Sequence, residues 1–160
     1  MTGSIEVLLV EDNGADVRLT REGMTVLKSN CGLSVAGDGE EALDFLYQHV
    51  NHANAPRPIL ILLDLNLPGK DGLEVLGEIK MDSSLKRVPV MVLTSSSSMG
   101  DVNRAYDLGA NSYLKKAVSL DEIYDLMRNI EHYWLRLSSL PVHGRALGVP
   151  RRPLLADDPR

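Results

Sequence analysis

At 160 residues and 17.6 kDa, with a formal charge of −5, the chain has room for one core and a short appendage but none for a second folded output module. An apolar fraction of 44% with one Phe and one Trp excludes a wholly disordered chain and predicts a core of Val, Ile, Leu, Ala and Met. The acidic balance argues against direct nucleic-acid binding, the single Cys31 excludes an internal disulfide framework and fits the reducing cytoplasm, and no apolar run approaches the roughly 20 residues of a membrane span.

Residues 5–10, "IEVLLV", predict a first strand that runs out into Glu11 and Asp12. Residues 13–29 follow with apolar side chains at helical spacing, and Asn13 ahead of Asp16 reads as a cap. A second strand over 33–36 and a second helix over 40–50 lead to a polar, Pro-bearing connection over 49–58. The third strand, 59–63, ends in Asp64, and Asp71 before Glu74 opens a helix over 71–81. The fourth strand, 88–93, ends in Thr94 and is followed by a helix over 100–108. Residues 112–114 predict the fifth strand, which ends in Lys115 and Lys116, and Ser119 with Glu122 caps a last helix over 120–137. Five alternations of strand and helix predict an α/β fold, a doubly wound five-stranded parallel sheet. Residues 138–160 hold four of the eight prolines and no helical period. They predict an extended or disordered tail after a domain of residues 1–137.

The strand exits carry the chemistry. In an open parallel sheet the carboxyl ends of the strands share one edge, and a crevice opens between the first and third strands. Glu11, Asp12 and Asp64 therefore converge. Three close carboxylates repel one another unless a cation lies among them, and a hard divalent ion with oxygen ligands fits. Magnesium suits the set, and the main-chain carbonyl of Asn66, two residues past Asp64, is placed to add a ligand. Thr94 can hydrogen-bond a phosphoryl oxygen, and a lysine at the fifth exit, Lys115 or Lys116, can neutralise developing charge. The set suits phosphoryl transfer, with Asp64 as nucleophile and an acyl phosphate as product.

The stretches "LLVEDN", "LLDLNLPGKDGLEVL", "VPVMVLTSS" and "SYLKKAVSLDEI" together resemble the receiver domain of two-component response regulators over about residues 5–137. The resemblance implies a flavodoxin-like (βα)5 fold with strand order 2-1-3-4-5. It implies Asp64 as phospho-acceptor, magnesium held by Glu11, Asp12, Asp64 and the Asn66 carbonyl, and phosphoryl contacts from Thr94 and Lys116. Tyr113 falls in the position of the switch aromatic, which turns inward as Thr94 moves toward the phosphate. The donor is then a histidine kinase, and the receiver assists its own phosphorylation and dephosphorylation without being an enzyme for other substrates.

Within that family, "PRPILILLDLNLPGKDG", "RAYDLGANSYL" and "IEHYWL" look most like stand-alone regulators paired with phytochrome-type kinases. That likeness implies a homodimer through the last helix and fifth strand, with a downstream phosphotransfer protein as a further candidate partner. Leu120, Ile123, Met127, Ile130, Trp134 and Leu137 form a narrow apolar seam, and the end of this helix is the dimer candidate.

Two positions depart from the family pattern. Lys116 is followed by Ala117 where relatives carry proline, and Gly14 stands where proline often opens the first helix. A competing reading is a magnesium-dependent aspartyl-phosphate phosphatase, since "DLN" resembles the Asp-x-Asp start of haloacid-dehalogenase-type hydrolases. Asn66 cannot supply the general acid such an enzyme needs. A phosphate-independent binding module is the remaining alternative.

Overall fold

The computed structural model describes residues 5–51 and 57–137. Strands β1 (Ile5–Val10), β2 (Cys31–Ala36), β3 (Leu60–Leu63), β4 (Val90–Thr94) and β5 (Ser112–Lys115) alternate with helices α1 (Gly14–Met24), α2 (Gly39–Asn51), α3 (Gly72–Met81), α4 (Met99–Asp107) and α5 (Leu120–Ile130). All four strand pairings are parallel, in the order β2-β1-β3-β4-β5. This is the expected doubly wound sheet. The expected tail, 138–160, lies outside the described residues.

Alternation along the strands builds two apolar layers. Leu8, Val10, Ile61, Leu63, Val90 and Val92 face α2, α3 and α4. Val7, Leu9, Leu60, Leu62, Met91 and Leu93 face α1 and α5. All four residues of β3 are buried, which is why "LILL" is continuous rather than alternating. Each such side chain removed from water contributes about 1.5–3 kcal/mol. At the amino end of the sheet the Lys80 ammonium donates to the carbonyls of Lys86 and Val88 and to Asn111 Oδ1, at 3.1, 2.8 and 3.1 Å.

Element ends differ from the sequence reading for local reasons. α1 stops at Met24, with the Thr25 N–H turning back onto Glu22 and Gly23. The amides of Lys28 and Ser29, expected inside that helix, donate instead to the buried Glu131 carboxylate at 2.8 and 2.7 Å. β4 starts at Val90 because Pro89 has no N–H to give a ladder, although its carbonyl accepts from Ile61. The last helix is α-helical only to Ile130, and Glu131–Leu137 continues it as a π-helix. Its seam is mostly core: Ile123, Met127 and Ile130 are buried and Trp134 packs partly against the same layer, whereas Leu120 is exposed.

Among the described residues no helix is long and apolar enough to cross a membrane. Cys31 is half-buried, and burial, with the charges of Glu6 and Glu131 adding to it, pushes its thiol up to about 11. It is inert as a nucleophile near neutral pH.

Candidate functional site

The carboxyl edge of the sheet carries its ladder one residue beyond the strands. Glu11 N–H donates to Ala36, Asp64 N–H to Val10 and Lys116 N–H to Thr94, each at 3.0 Å. The backbones of these residues are therefore as rigid as the sheet. One carboxylate oxygen from each of Glu11, Asp12 and Asp64 lies within 4.8 Å of the other two. Glu11 and Asp64 are buried and Asp12 is exposed, so the cluster is walled on the inside and open on one flank.

Lys116 rather than Lys115 extends into this cluster, and Lys115 is exposed. The Lys116 ammonium lies 2.8 Å from Glu11 Oε1, 2.8 Å from Asp16 Oδ2 and 3.2 Å from Asp64 Oδ2. Asp64 Oδ1 accepts from the Asn66 N–H at 3.2 Å, which folds the chain after β3 back over the carboxylate. Asn66 itself is exposed. No peptide bond among the described residues is cis, so Lys116–Ala117 is trans and the ammonium reaches Asp64 from that geometry.

Two helix starts frame the crevice. Asn13 Oδ1 accepts from the N–H groups of Ala15 and Asp16 and so opens α1 beside Glu11 and Asp12. Asp71 and Glu74 form a reciprocal capping box at α3. Gly72 brings the start of α3 against the Asp64 backbone: a Cβ there would lie 2.4 Å from the Asp64 carbonyl oxygen.

On the β4 side Thr94 is buried and its hydroxyl accepts from the Ser96 N–H at 3.3 Å. Ser96 Oγ donates to Asp101 Oδ2 at 2.7 Å, and the Tyr113 hydroxyl donates to the Ser96 carbonyl at 3.0 Å. The serine run from Ser95 to Ser98 is thus tied at both ends, with Ser98 capping α4. Tyr113 is half-buried against the α2–α4 layer. A chain of contacts links Thr94, the β4–α4 loop and Tyr113.

The charges have a defined order. Burial pushes the Glu11 carboxyl up from its ordinary 4.5 to about 7, opposed by the Lys116 and Asn13 hydrogen bonds and reinforced by the Asp64 charge. Burial alone would lower Lys116, but acceptance by Asp16 and Glu11 and the charge of Asp64 more than offset it, so the ammonium is held above its usual range. The donor set of three carboxylates beside a crevice fits a divalent cation.

A sign follows for pH. The folded protein holds the Glu11 proton more tightly than the unfolded chain, so this group's stabilising contribution is full below 4.5 and is lost as pH rises to about 7. Cation binding runs the other way, because only the ionised carboxylate can be a ligand. Calorimetric titration with magnesium should show affinity at pH 6 about tenfold weaker than at pH 8.

Asp16 is the site residue that sequence spacing did not single out for chemistry. Its signal was present: it lies one helical turn past Asp12, at the open end of α1, in the position that also complements the helix dipole. The sequence reading used it only as a partner of the Asn13 cap.

A family model for the response regulator receiver domain matches residues 7–128. The chain is 47% identical over 135 residues to the response regulator Rcp1 of Synechocystis sp., an alignment covering 84% of this chain and 92% of that protein. The crystal structure of the phosphorylated cyanobacterial phytochrome response regulator RcpA superposes with a TM-score of 0.79 at 45% identity, covering 87% of this chain and 99% of that one. The manganese-bound form of Rcp1 gives a TM-score of 0.76 at 46% identity, covering 86% and 99%.

Proposed function

The chain belongs to the response regulator receiver-domain family of two-component signalling, and on that premise we propose that it is a stand-alone cytoplasmic switch phosphorylated on Asp64 by a histidine kinase. The observation that carries this reading is the buried Asp64 carboxylate, beside Glu11 and Asp12, with the Lys116 ammonium at 3.2 Å. We assign the receiver to residues 1–137.

In the proposed reaction an Asp64 oxygen attacks the phosphorus of a kinase phosphohistidine. The O–P bond forms as the P–N bond breaks, and the released imidazole takes up a proton. Glu11, Asp12, Asp64 and the Asn66 carbonyl would hold magnesium, which when bound offsets negative charge on the phosphoryl oxygens. Lys116 places a positive charge where charge accumulates on the transferred group. Thr94 offers its hydroxyl to a phosphoryl oxygen, giving up the Ser96 amide, and the loop bonded to Tyr113 follows. Tyr113 is then the switch that reports phosphorylation to the α4–β5–α5 surface. The chain assists formation and hydrolysis of its own acyl phosphate rather than turning over a separate substrate.

The 45% identity to a cyanobacterial phytochrome response regulator supports a phytochrome-type histidine kinase as donor, and a phosphotransfer protein is a candidate acceptor downstream. The net charge of −5 supports protein rather than nucleic-acid partners.

We place a homodimer on β5 and the end of the last helix. Tyr133 is 55% exposed there and stands edge-on to Trp134, with ring centroids 5.0 Å apart. Trp134→Ala should weaken self-association by about 2 kcal/mol, as for an aromatic anchor. Sedimentation equilibrium on both proteins measures it, and an unchanged dimer would place the interface elsewhere.

The test of the reading is intact mass after incubation with acetyl phosphate. One phosphoryl adduct forms with magnesium and none forms with excess EDTA. A folded protein that stays unmodified under both conditions would instead be a phosphate-independent binding module.

A further inference from the structure

We infer that Asp16 is a positioning residue for the phosphorylation reaction, acting as a tether that keeps the Lys116 ammonium over the phospho-acceptor. The inference rests on the reading of Asp64 as that acceptor.

An ammonium has three N–H donors, and Lys116 points them at Glu11, Asp16 and Asp64 at 2.8, 2.8 and 3.2 Å. The three partners are not equivalent. Glu11 and Asp64 belong to the carboxylate cluster that would hold the cation, and Asp16 does not. When a cation occupies that cluster, and when Asp64 becomes an acyl phosphate, both of those oxygens are drawn into other bonds. Asp16 alone of the three is left to the lysine in every state of the cycle.

Its own placement is rigid. Asp16 N–H donates to the Asn13 cap at 3.1 Å, and its carbonyl accepts from Thr20 Oγ1 at 2.9 Å. The tether is therefore anchored in the first turn of α1, across the crevice from β5.

Lys116 needs such an anchor. Its four-carbon stem is flexible, its side chain is 18% exposed, and Asp16, Lys116, Ala117, Thr20 and Leu93 line a cavity of about 20 Å³, room for about one water. Without Asp16 the ammonium has slack toward that space and toward solvent. It can also settle more closely on Glu11 and Asp64, where it competes with the cation. Either movement slows phosphoryl uptake.

The experiment compares phosphorylation rates from acetyl phosphate in saturating magnesium, read by intact mass, for the wild type, Asp16→Asn, Asp16→Glu, Lys116→Ala and the Asp16→Asn/Lys116→Ala double variant. Asp16→Asn should react about tenfold more slowly, the loss of roughly one charge-assisted hydrogen bond. Asp16→Glu should regain most of that rate. In the Lys116→Ala background Asp16→Asn should change nothing further, because its effect passes through the lysine. The inference is overturned by an Asp16→Asn rate equal to wild type, by an Asp16→Glu rate no better than Asp16→Asn, or by the same slowing in both backgrounds. A wild type that takes up no phosphoryl group overturns the reading of Asp64 first and this inference with it, so the two failures are distinguishable.

Discussion

Asp64→Asn should take up no phosphoryl group from acetyl phosphate while remaining as stable as the wild type or slightly more so. The amide keeps the size and planar shape of the carboxylate, so it fits the 3%-exposed site and can still accept from the Asn66 N–H. It has lost the anionic oxygen that attacks phosphorus, and no neighbouring carboxylate occupies the same position. Glu11 is the nearest buried alternative, but burial holds its proton to about pH 7 and Lys116 occupies its Oε1 at 2.8 Å. Stability moves the other way because Asp64 is one of the charges that raise Glu11. Removing it relieves repulsion between buried carboxylates, an effect of up to about 1 kcal/mol after the loss of its bond to Lys116 is counted. Thermal melts at pH 7.5 alongside the mass measurement check both halves. A variant inactive only because it is unfolded would contradict the prediction.

Gly72→Ala should destabilise the protein by about 2–3 kcal/mol, as for overpacking that side chains cannot relieve. The new Cβ would lie 2.4 Å from the Asp64 carbonyl oxygen and 2.5 Å from Leu65 Cα. Both are backbone atoms, so no rotamer change removes the clash. Either α3 backs away from the sheet or the segment after β3 shifts, and the second moves the phospho-acceptor. A melting temperature lower by about 5–10 °C is expected for a chain of this size. Phosphorylation should slow in the surviving folded protein, since a displacement near 1 Å can cost about a hundredfold. Gly14→Ala is the matched control. Its Cβ meets nothing closer than Arg18 at 3.6 Å and its φ is negative, so it should gain about 0.5 kcal/mol through reduced unfolded-state freedom. The turn at Gly14 is held by the Asn13 cap.

The fold was legible because each strand is largely apolar, and β1, β3, β4 and β5 run out into charged or hydroxyl side chains. Parallel topology then leaves those ends one edge to share, so the convergence of Glu11, Asp12 and Asp64 was written in the exits of β1 and β3. The choice between Lys115 and Lys116 was not, because alternation along one short strand permits either; the resemblance carried by "SYLKKAVSLDEI" pointed to Lys116, whose ammonium lies 3.2 Å from Asp64. Asp16 escaped notice for a different reason. Its partner Lys116 is 100 residues away in sequence, and a carboxylate in the first turn of a helix already has a sufficient local explanation in the helix dipole.

The end of the last helix shows another limit. A seam at three- and four-residue spacing reads the same whether the helix packs on its own sheet or on a second molecule. The long-range bonds from Lys28 and Ser29 to Glu131, which mark where the helix widens into a π-helix, have no periodic signature.

Reductive trapping tests the central claim most directly. Borohydride reduces an acyl phosphate to an alcohol, so protein phosphorylated in magnesium, reduced and digested should contain homoserine in place of Asp64 and at no other carboxylate. Homoserine at another position, or phosphate that survives reduction on a hydroxyl of the Ser95 to Ser98 run, would contradict Asp64 as the acceptor.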